Sequence, residues 1–408
     1  MSDMPNVRFL DRSTAPHLFT LVVMAGLSAL VMNIFLPSLP SMTAYFDTEY
    51  RIVQLSVAVF LAVNAVLQLV VGPLSDKLGR RPVVLWGIAL FILATLGCLM
   101  TDNIWVFLAF RMAQAVIVVA MVLSRAIVRD MVPQDQAASM IGYVTMGMAV
   151  VPMIGPAIGG LLEEAYSWHA NFWLLMGLGV ALFALCWRDL GETATPSGLS
   201  LTQQFREYPE LLTAPRFWGY ALASGFASGA FFSYLGGAPF VGSEVFGLDA
   251  SELGIYFGAP AIGYFCGNWF SGKFSARFGV NRMVLWGSSI VALGMSALLA
   301  VFLSGHGSVL WFFGMMTTVG VGNGLTIPNA TAGMLSVRPH LAGTASGLGG
   351  AIMIGGGAAL SALAGALLGP GTGAEPLIVL MFATSVCAVC AIRFVIWREA
   401  QLKKLDLA

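Results

Sequence analysis

Charge is what this chain has least of: only 10% of its 408 residues are Asp, Glu, Lys or Arg, where a soluble domain carries about 25%. Hydrophobic residues make up 58% of it, too many for a water-solvated surface to cover, so the composition is that of a polytopic membrane protein. Twenty bases balance twenty acids, so no basic excess points to nucleic acid. The four histidines are scattered, and Cys98, Cys186, Cys266, Cys387 and Cys390 all fall in apolar runs with no His or acid at ligand spacing. No metal, cofactor or nucleophile with its base is therefore expected, and the chain reads as a non-enzyme. No cleavable leader is expected either. "MSDMPNVRFLDRSTAPH" is polar and mixed in charge, and the apolar run behind it has no small-residue cleavage pattern, so a retained first helix is expected.

What is present is a series of apolar runs near residues 18–38, 53–74, 82–100, 104–125, 137–162 and 169–187. A second series follows near 216–240, 251–272, 283–303, 308–330, 341–367 and 375–396. Each approaches the roughly 20 residues a helix needs to cross a hydrocarbon core, and is too long for the strands of a membrane barrel. The expectation is an all-α protein of twelve spans, arranged as residues 1–187, a soluble linker 188–215 and residues 216–408. In the linker, "GETATPSG" is flexible and "LTQQFREYPELL" can form a short surface helix.

Eighteen of the twenty bases lie on one side of such a layout or at its inner helix ends; Arg51 alone lies outside, and Arg111 falls within a span. By the positive-inside rule both termini are expected in the cytoplasm. The acids show no such bias, as the rule allows.

The halves repeat. "GPLSDKLGRR" at 72–81 is matched by "GKFSARFGVNR" at 272–282, with Gly72, Ser75, Lys77 and Gly79 facing Gly272, Ser275, Arg277 and Gly279 at an offset of 200. Leu85, Trp86 and Gly87 recur as Leu285, Trp286 and Gly287, and Gln68 maps onto Asn268. A shared offset at the same place in each half indicates duplicated six-helix units, an arrangement suited to rocking around a substrate.

The spans, the paired loops and "GPLSDKLGRRP" resemble the major facilitator superfamily over essentially the whole chain. "RMAQA" at 111–115 is similar to its fourth-helix pattern, and "GPAIGG" at 155–160 resembles the fifth-helix motif of its drug and proton antiporters. "NIFLPSLP" from Asn33 is similar to the end of the first helix in the bicyclomycin- and chloramphenicol-resistance (Bcr/CflA) branch, except that Asn33 stands where that branch commonly has an acid. The resemblance implies two pseudo-symmetric six-helix bundles in a bacterial inner membrane, probed by lipid outside and a small-molecule substrate within, working as a monomer. It implies efflux of amphipathic drug-like solutes, with protons as the coupling ion. Gly72, Asp76, Gly79, Arg80 and Arg81 become candidate gating residues, with Gly155 and Pro156 in the bending helix.

No acid lies at the centre of a predicted span, and Asn33 cannot exchange a proton near neutral pH. Arg111 is the lone intramembrane charge and should meet water, a polar partner or a substrate, with Gln114, Asn33, Asn64, Gln68 and helix carbonyls as candidate acceptors. Polar and aromatic residues of the spans supply the expected substrate contacts: Asn33, Asn64, Gln68, Arg111, Gln114 and Tyr143 in the first half, and Tyr234, Tyr256, Asn268 and Asn323 in the second. With 21 Met and 27 Phe available, an adaptable apolar pocket is expected. A second reading stays open, an organic-anion or metabolite uniporter or exchanger in which Arg111 binds the charge; a channel or membrane enzyme fits the pattern less well.

Overall fold

The structure is a computed structural model that describes residues 7–131, 140, 144, 151, 154–193, 209–338 and 342–406. Those residues are almost entirely helical, as lipid demands, since a helix satisfies its own backbone hydrogen bonds. The chain forms two compact units, residues Met1–Ser200 with Asp249–Gly254, and Leu201–Leu248 with Ile255–Ala408.

In the first unit the helices are α1 (Leu18–Asn33), α2 (Leu39–Tyr45), α3 (Tyr50–Leu78), α4 (Arg80–Leu99), α5 (Ile104–Gln114), α6 (Val118–Met131), α7 (154–165) and α8 (Trp168–Asp189). The apolar run at 104–125 is thus one span in two pieces, because a 3-10 turn at Ala115–Ile117 tightens the helix between α5 and α6. Ser28 Oγ on α1 donates to the Ile117 carbonyl across 2.7 Å, occupying an acceptor in that turn. The run at 18–38 also divides: α1 ends at Asn33, Pro37 sits in a 3-10 turn at Leu36–Ser38, and Pro40 opens α2, where a missing N–H costs nothing.

The chain continues with α9 (Pro215–Phe240) and α10 (Ala250–Tyr256), most of which falls in the first unit, and the second unit goes on with α11 (Ala259–Phe278), α12 (Val280–Leu303), α13 (Val309–Val337), α14 (Ala342–Leu367) and α15 (Glu375–Asp406). The span expected at 251–272 is broken at Phe257 and Gly258, just ahead of Pro260. Around α9 pack α13, α14 and α15, with Phe217, Tyr220, Val284, Met334 and Ile392 forming one buried cluster.

Nine helical stretches among the described residues are long and apolar enough to cross a membrane. Of the other three expected spans, α9 is 26 residues long but rich in Gly, Ser and Ala, α11 runs into the basic loop, and only the later part of 137–162 is described, as α7. Large apolar side chains such as Leu93, Phe265 and Leu293 are 62–70% exposed in mid-helix, a surface that only a bilayer would solvate. Cys266, Cys387 and Cys390 share that outer surface, whereas Cys98 and Cys186 are buried. Among the described residues no His, Cys, Asp and Glu group is placed to hold a metal.

Candidate functional site

Arg111 is wholly buried, and the structure shows what holds it. Asn103 caps α5 by accepting the N–H groups of Trp105 and Val106, and α5 then carries Arg111 and Gln114 three residues apart on one face. The Arg111 guanidinium donates to Gln114 Oε1 at 2.8 Å, to the Val31 carbonyl of α1 at 2.9 Å and to the Ser56 carbonyl of α3 at 3.3 Å. Gln114 in turn donates to Thr95 Oγ1 on α4 at 2.8 Å. The rings of Phe35 and Phe60 cover the guanidinium at 4.4 and 4.1 Å. One cation therefore joins four helices of the first unit, its charge spread over three oxygens and two π-faces. Of the acceptors expected from sequence, Gln114 and the helix carbonyls serve; Asn33, Asn64 and Gln68 do not.

Asn33 is 1% exposed. Its Nδ2 donates back to the Ala29 carbonyl at 2.7 Å, while Oδ1 is buried with no partner. The "GPAIGG" helix lies against it: Gly155 faces Leu30 and Asn33, Pro156 is buried, and a methyl group at Gly159 would collide with the Ile34 carbonyl. Asn171 on α8 closes the corner, donating to Ser38 Oγ at 3.0 Å and to the Gly159 carbonyl at 3.2 Å. The glycines of the motif thus act through close helix approach at the end of α1.

The remaining candidates separate into satisfied and unsatisfied groups. Gln68 donates to Asn64 Oδ1 at 2.8 Å, and Asn268 donates to the Tyr264 carbonyl at 2.8 Å, so both half-buried amides are engaged along their own helices. Tyr256 stacks on Phe313 at 5.1 Å. Tyr234 is buried among Phe257, Phe312 and Phe313, its hydroxyl without a partner, and Asn323 Oδ1 on α13 is likewise buried and unpaired. Tyr143 lies outside the described residues.

At the basic end of the first unit the repeated loop is a knot of specific bonds. Gly79 takes φ +96° to turn the chain between α3 and α4, and its counterpart Gly279 takes φ +83°, a conformation that disfavours any side chain. Arg80 pairs with Asp130 at 3.0 Å and also reaches Ser75, their side chains in the pair being 11% and 19% exposed. Arg81 donates to the Leu190 and Trp187 carbonyls at 2.8 and 3.2 Å and lies over the Trp187 ring. The backbone N–H groups of Arg80 and Arg81 both point to the Glu192 carboxylate, at 2.8 and 3.3 Å. Gly72 faces open space, Lys77 is exposed, and Asp76 lies in α3.

The matching loop of the second unit is served by Glu399, which accepts from Asn281 Nδ2 at 2.6 Å and Tyr220 at 3.2 Å and pairs with Arg216. A cavity of about 490 Å³ opens beside it, lined by Arg216, Tyr220, Gly279, Asn281, Arg282 and Glu399. Glu192 and Glu399 were not foreseen from the repeat, because they do not share its offset of 200. Their signal was positional: each is an acid just beyond or near the end of a unit's last span.

Helical bundles with duplicated basic loops and a lipid-exposed apolar surface are the arrangement of a secondary transporter of small molecules. The chain belongs to the major facilitator superfamily: the Major Facilitator Superfamily profile matches residues 21–362. It is 32% identical to an uncharacterized MFS-type transporter, YdgK, of Bacillus subtilis, over 90% of this chain and 92% of that one. It is similar at 32% to a chloramphenicol resistance protein of Pseudomonas aeruginosa, over 78% of this chain and 76% of that one. With multidrug resistance protein D of Escherichia coli the identity is 30%, over 89% of this chain and 91% of that one. The fold matches a peptide transporter, POT, crystallised with sulfate, at TM-score 0.76 with 13% identity over 95% of each chain. A bacterial homologue of the lysosomal transporter Spinster, inward-facing and occupied, matches at 0.71 with 18% identity, over 94% of this chain and 96% of that one. The protein is accordingly an all-α, multi-pass membrane transporter with the superfamily's two pseudo-symmetric six-helix bundles.

Proposed function

We propose that this transporter exports amphipathic, drug-like small molecules from a bacterial cytoplasm across the inner membrane, as a monomer with both termini inside. The observation that carries the reading is Tyr234: a buried hydroxyl with no partner, walled by Phe257, Phe312 and Phe313. Tyr234 is 1% exposed, so a solute meets it where these rings part, and one with a large apolar body and one or two polar atoms fits, since its polar atom relieves the orphaned hydroxyl. Asn33 and Asn323, each with an unpaired buried carbonyl oxygen, offer the same chemistry to an N–H or O–H donor. The resistance proteins among the relatives support the solute class.

Arg111 does not support the organic-anion reading, because its guanidinium is engaged by three oxygens and covered by two rings. Its role in this proposal is to hold α1 in place beside Asn33. Residues 72–81 form the inner gate, with Arg80, Arg81, Asp76 and the Gly79 turn as its working parts and Gly155 and Pro156 as the flexible side of α1's neighbour. Proton coupling, inherited from the resemblance, does not run through Asn33. Glu163 suits it better than Asp130, which Arg80 neutralises: one Glu163 oxygen accepts from Ser41 and the other is buried without a partner.

Counterflow in proteoliposomes tests the reading. Tetraphenylphosphonium and chloramphenicol are expected to exchange, faster across an imposed pH gradient, and a small carboxylate such as benzoate is not. Exchange of benzoate alone would overturn it.

A further inference from the structure

Among its described residues the first unit holds one fully buried acid that the transport reading does not use. Asp189, the last residue of α8, is 0% exposed and meets no base among the described residues. Its Oδ1 accepts the Leu10 N–H at 2.7 Å, and its Oδ2 accepts the His17 N–H at 2.9 Å and the Thr20 hydroxyl at 2.6 Å. Three donors of the N-terminal segment and α1 thus converge on one carboxyl group and satisfy it away from water. Two residues on, Gly191 packs so tightly under that segment that a methyl group would strike the Arg12 carbonyl. Between and beyond these contacts, Leu190 accepts from Arg81, and Glu192 accepts from the backbone of Arg80 and Arg81. Thr193 then reaches Asp130, the partner of Arg80, at 3.2 Å.

Residues 189–192 are therefore a hub: Asp189 and Gly191 meet the N-terminal segment, and Leu190 and Glu192 meet the gate loop. Leu190 leaves α8 in an extended conformation, which carries successive residues to opposite sides, so one short stretch links one set of partners to the other. We propose that Asp189 is a positioning residue for the inner gate, and that residues 8–20, tied down by it, set where Leu190 and Glu192 present their oxygens to Arg80 and Arg81. The N-terminal segment is then a working part of the gate. This rests on reading residues 72–81 as the gate.

Amide hydrogen exchange reads the bonds in question, since Leu10, His17, Arg80 and Arg81 all use their backbone N–H groups. The full-length protein, wild type, Asp189→Asn and the milder Thr20→Val, is compared by mass spectrometry over peptides covering 8–20 and 79–85. Exchange in Asp189→Asn is expected to accelerate about ten-fold in both regions, the size of one lost charge-assisted bond. Turnover of tetraphenylphosphonium counterflow should change at an unaltered half-saturating concentration. Thr20→Val should produce the same paired effect at smaller size, and it decides the matter where Asp189→Asn fails to fold. Acceleration confined to 8–20, with 79–85 as in the wild type, overturns the proposal. Linked exchange in a wild-type protein that moves no tetraphenylphosphonium would remove the drug-solute reading and leave Asp189 in its role.

Discussion

Replacing Arg111 with Ala separates a binding residue from a structural one. The substitution removes two cation–π faces, worth about 0.5–2 kcal/mol each when desolvated. It also orphans Gln114 Oε1, at about 1–3 kcal/mol for an unsatisfied buried group. Against these stands the relief of no longer burying a cation without an acid, which offsets part of the loss. The net expectation is a destabilisation of about 3 kcal/mol, and a melting temperature in detergent lower by roughly 5–10 °C on the usual scaling for large domains. Arg111→Lys should fall between, because an ammonium lacks the planar fork that reaches Val31, Ser56 and Gln114 together. Arg111→Met should melt above Arg111→Ala, since an unbranched apolar chain still fills the space between Phe35 and Phe60. The assay is a fluorescence melt of purified protein beside counterflow in proteoliposomes. An Ala variant that melts within about 1 °C of the wild type but does not transport would refute the reasoning and return Arg111 to the solute.

Gly159→Ala should be far worse than Gly155→Ala, because the first meets a backbone carbonyl at Ile34 and the second a movable Leu30 methyl; melting curves of the pair check it, and equal losses would contradict the packing. Asn33→Asp puts a titratable group at a position whose Oδ1 is already buried and unpartnered, and should steepen the response of tetraphenylphosphonium transport to an imposed pH gradient. An unchanged response would show that the end of α1 is not on the coupling route. Tyr234→Phe removes a hydroxyl that bonds to nothing in the unit, so stability should hold or rise by up to about 1 kcal/mol while the half-saturating concentration for chloramphenicol increases. Loss of stability with unaltered kinetics would disprove that assignment.

The fold was legible because hydrophobic length and the placement of bases are dictated by the bilayer, and both can be read from residue types alone. What stayed hidden were the breaks within spans. The 3-10 turn at Ala115–Ile117 contains neither Pro nor Gly, and it accepts a cross-helix bond from Ser28 that no local pattern announces. The site was half legible. "RMAQA" marked Arg111 and Gln114, but the depth of their burial depends on Phe35 and Phe60 arriving from other helices, which is a tertiary property. Amides were indistinguishable in the sequence, whereas in the fold Asn64 and Asn268 are spent on their own helices and Asn33 and Asn323 are not. Asp189 looked like one more acid at a helix end, since its three donors come from a segment more than 160 residues earlier.

The partners of Arg111 have a further consequence, which concerns the order in which the chain is made. Inserting an arginine at mid-span on a lone helix costs at least about 2.5–3.5 kcal/mol. Val31, Ser56 and, through Gln114, Thr95 belong to the three spans that precede Arg111, and Phe35 and Phe60 come from the first two. Apart from Gln114, three residues further along the same helix, every group that holds the guanidinium has therefore left the ribosome before the arginine itself emerges. The fourth span can be received by a ready-made polar socket, and no later segment of the chain is required for the charge to enter the membrane.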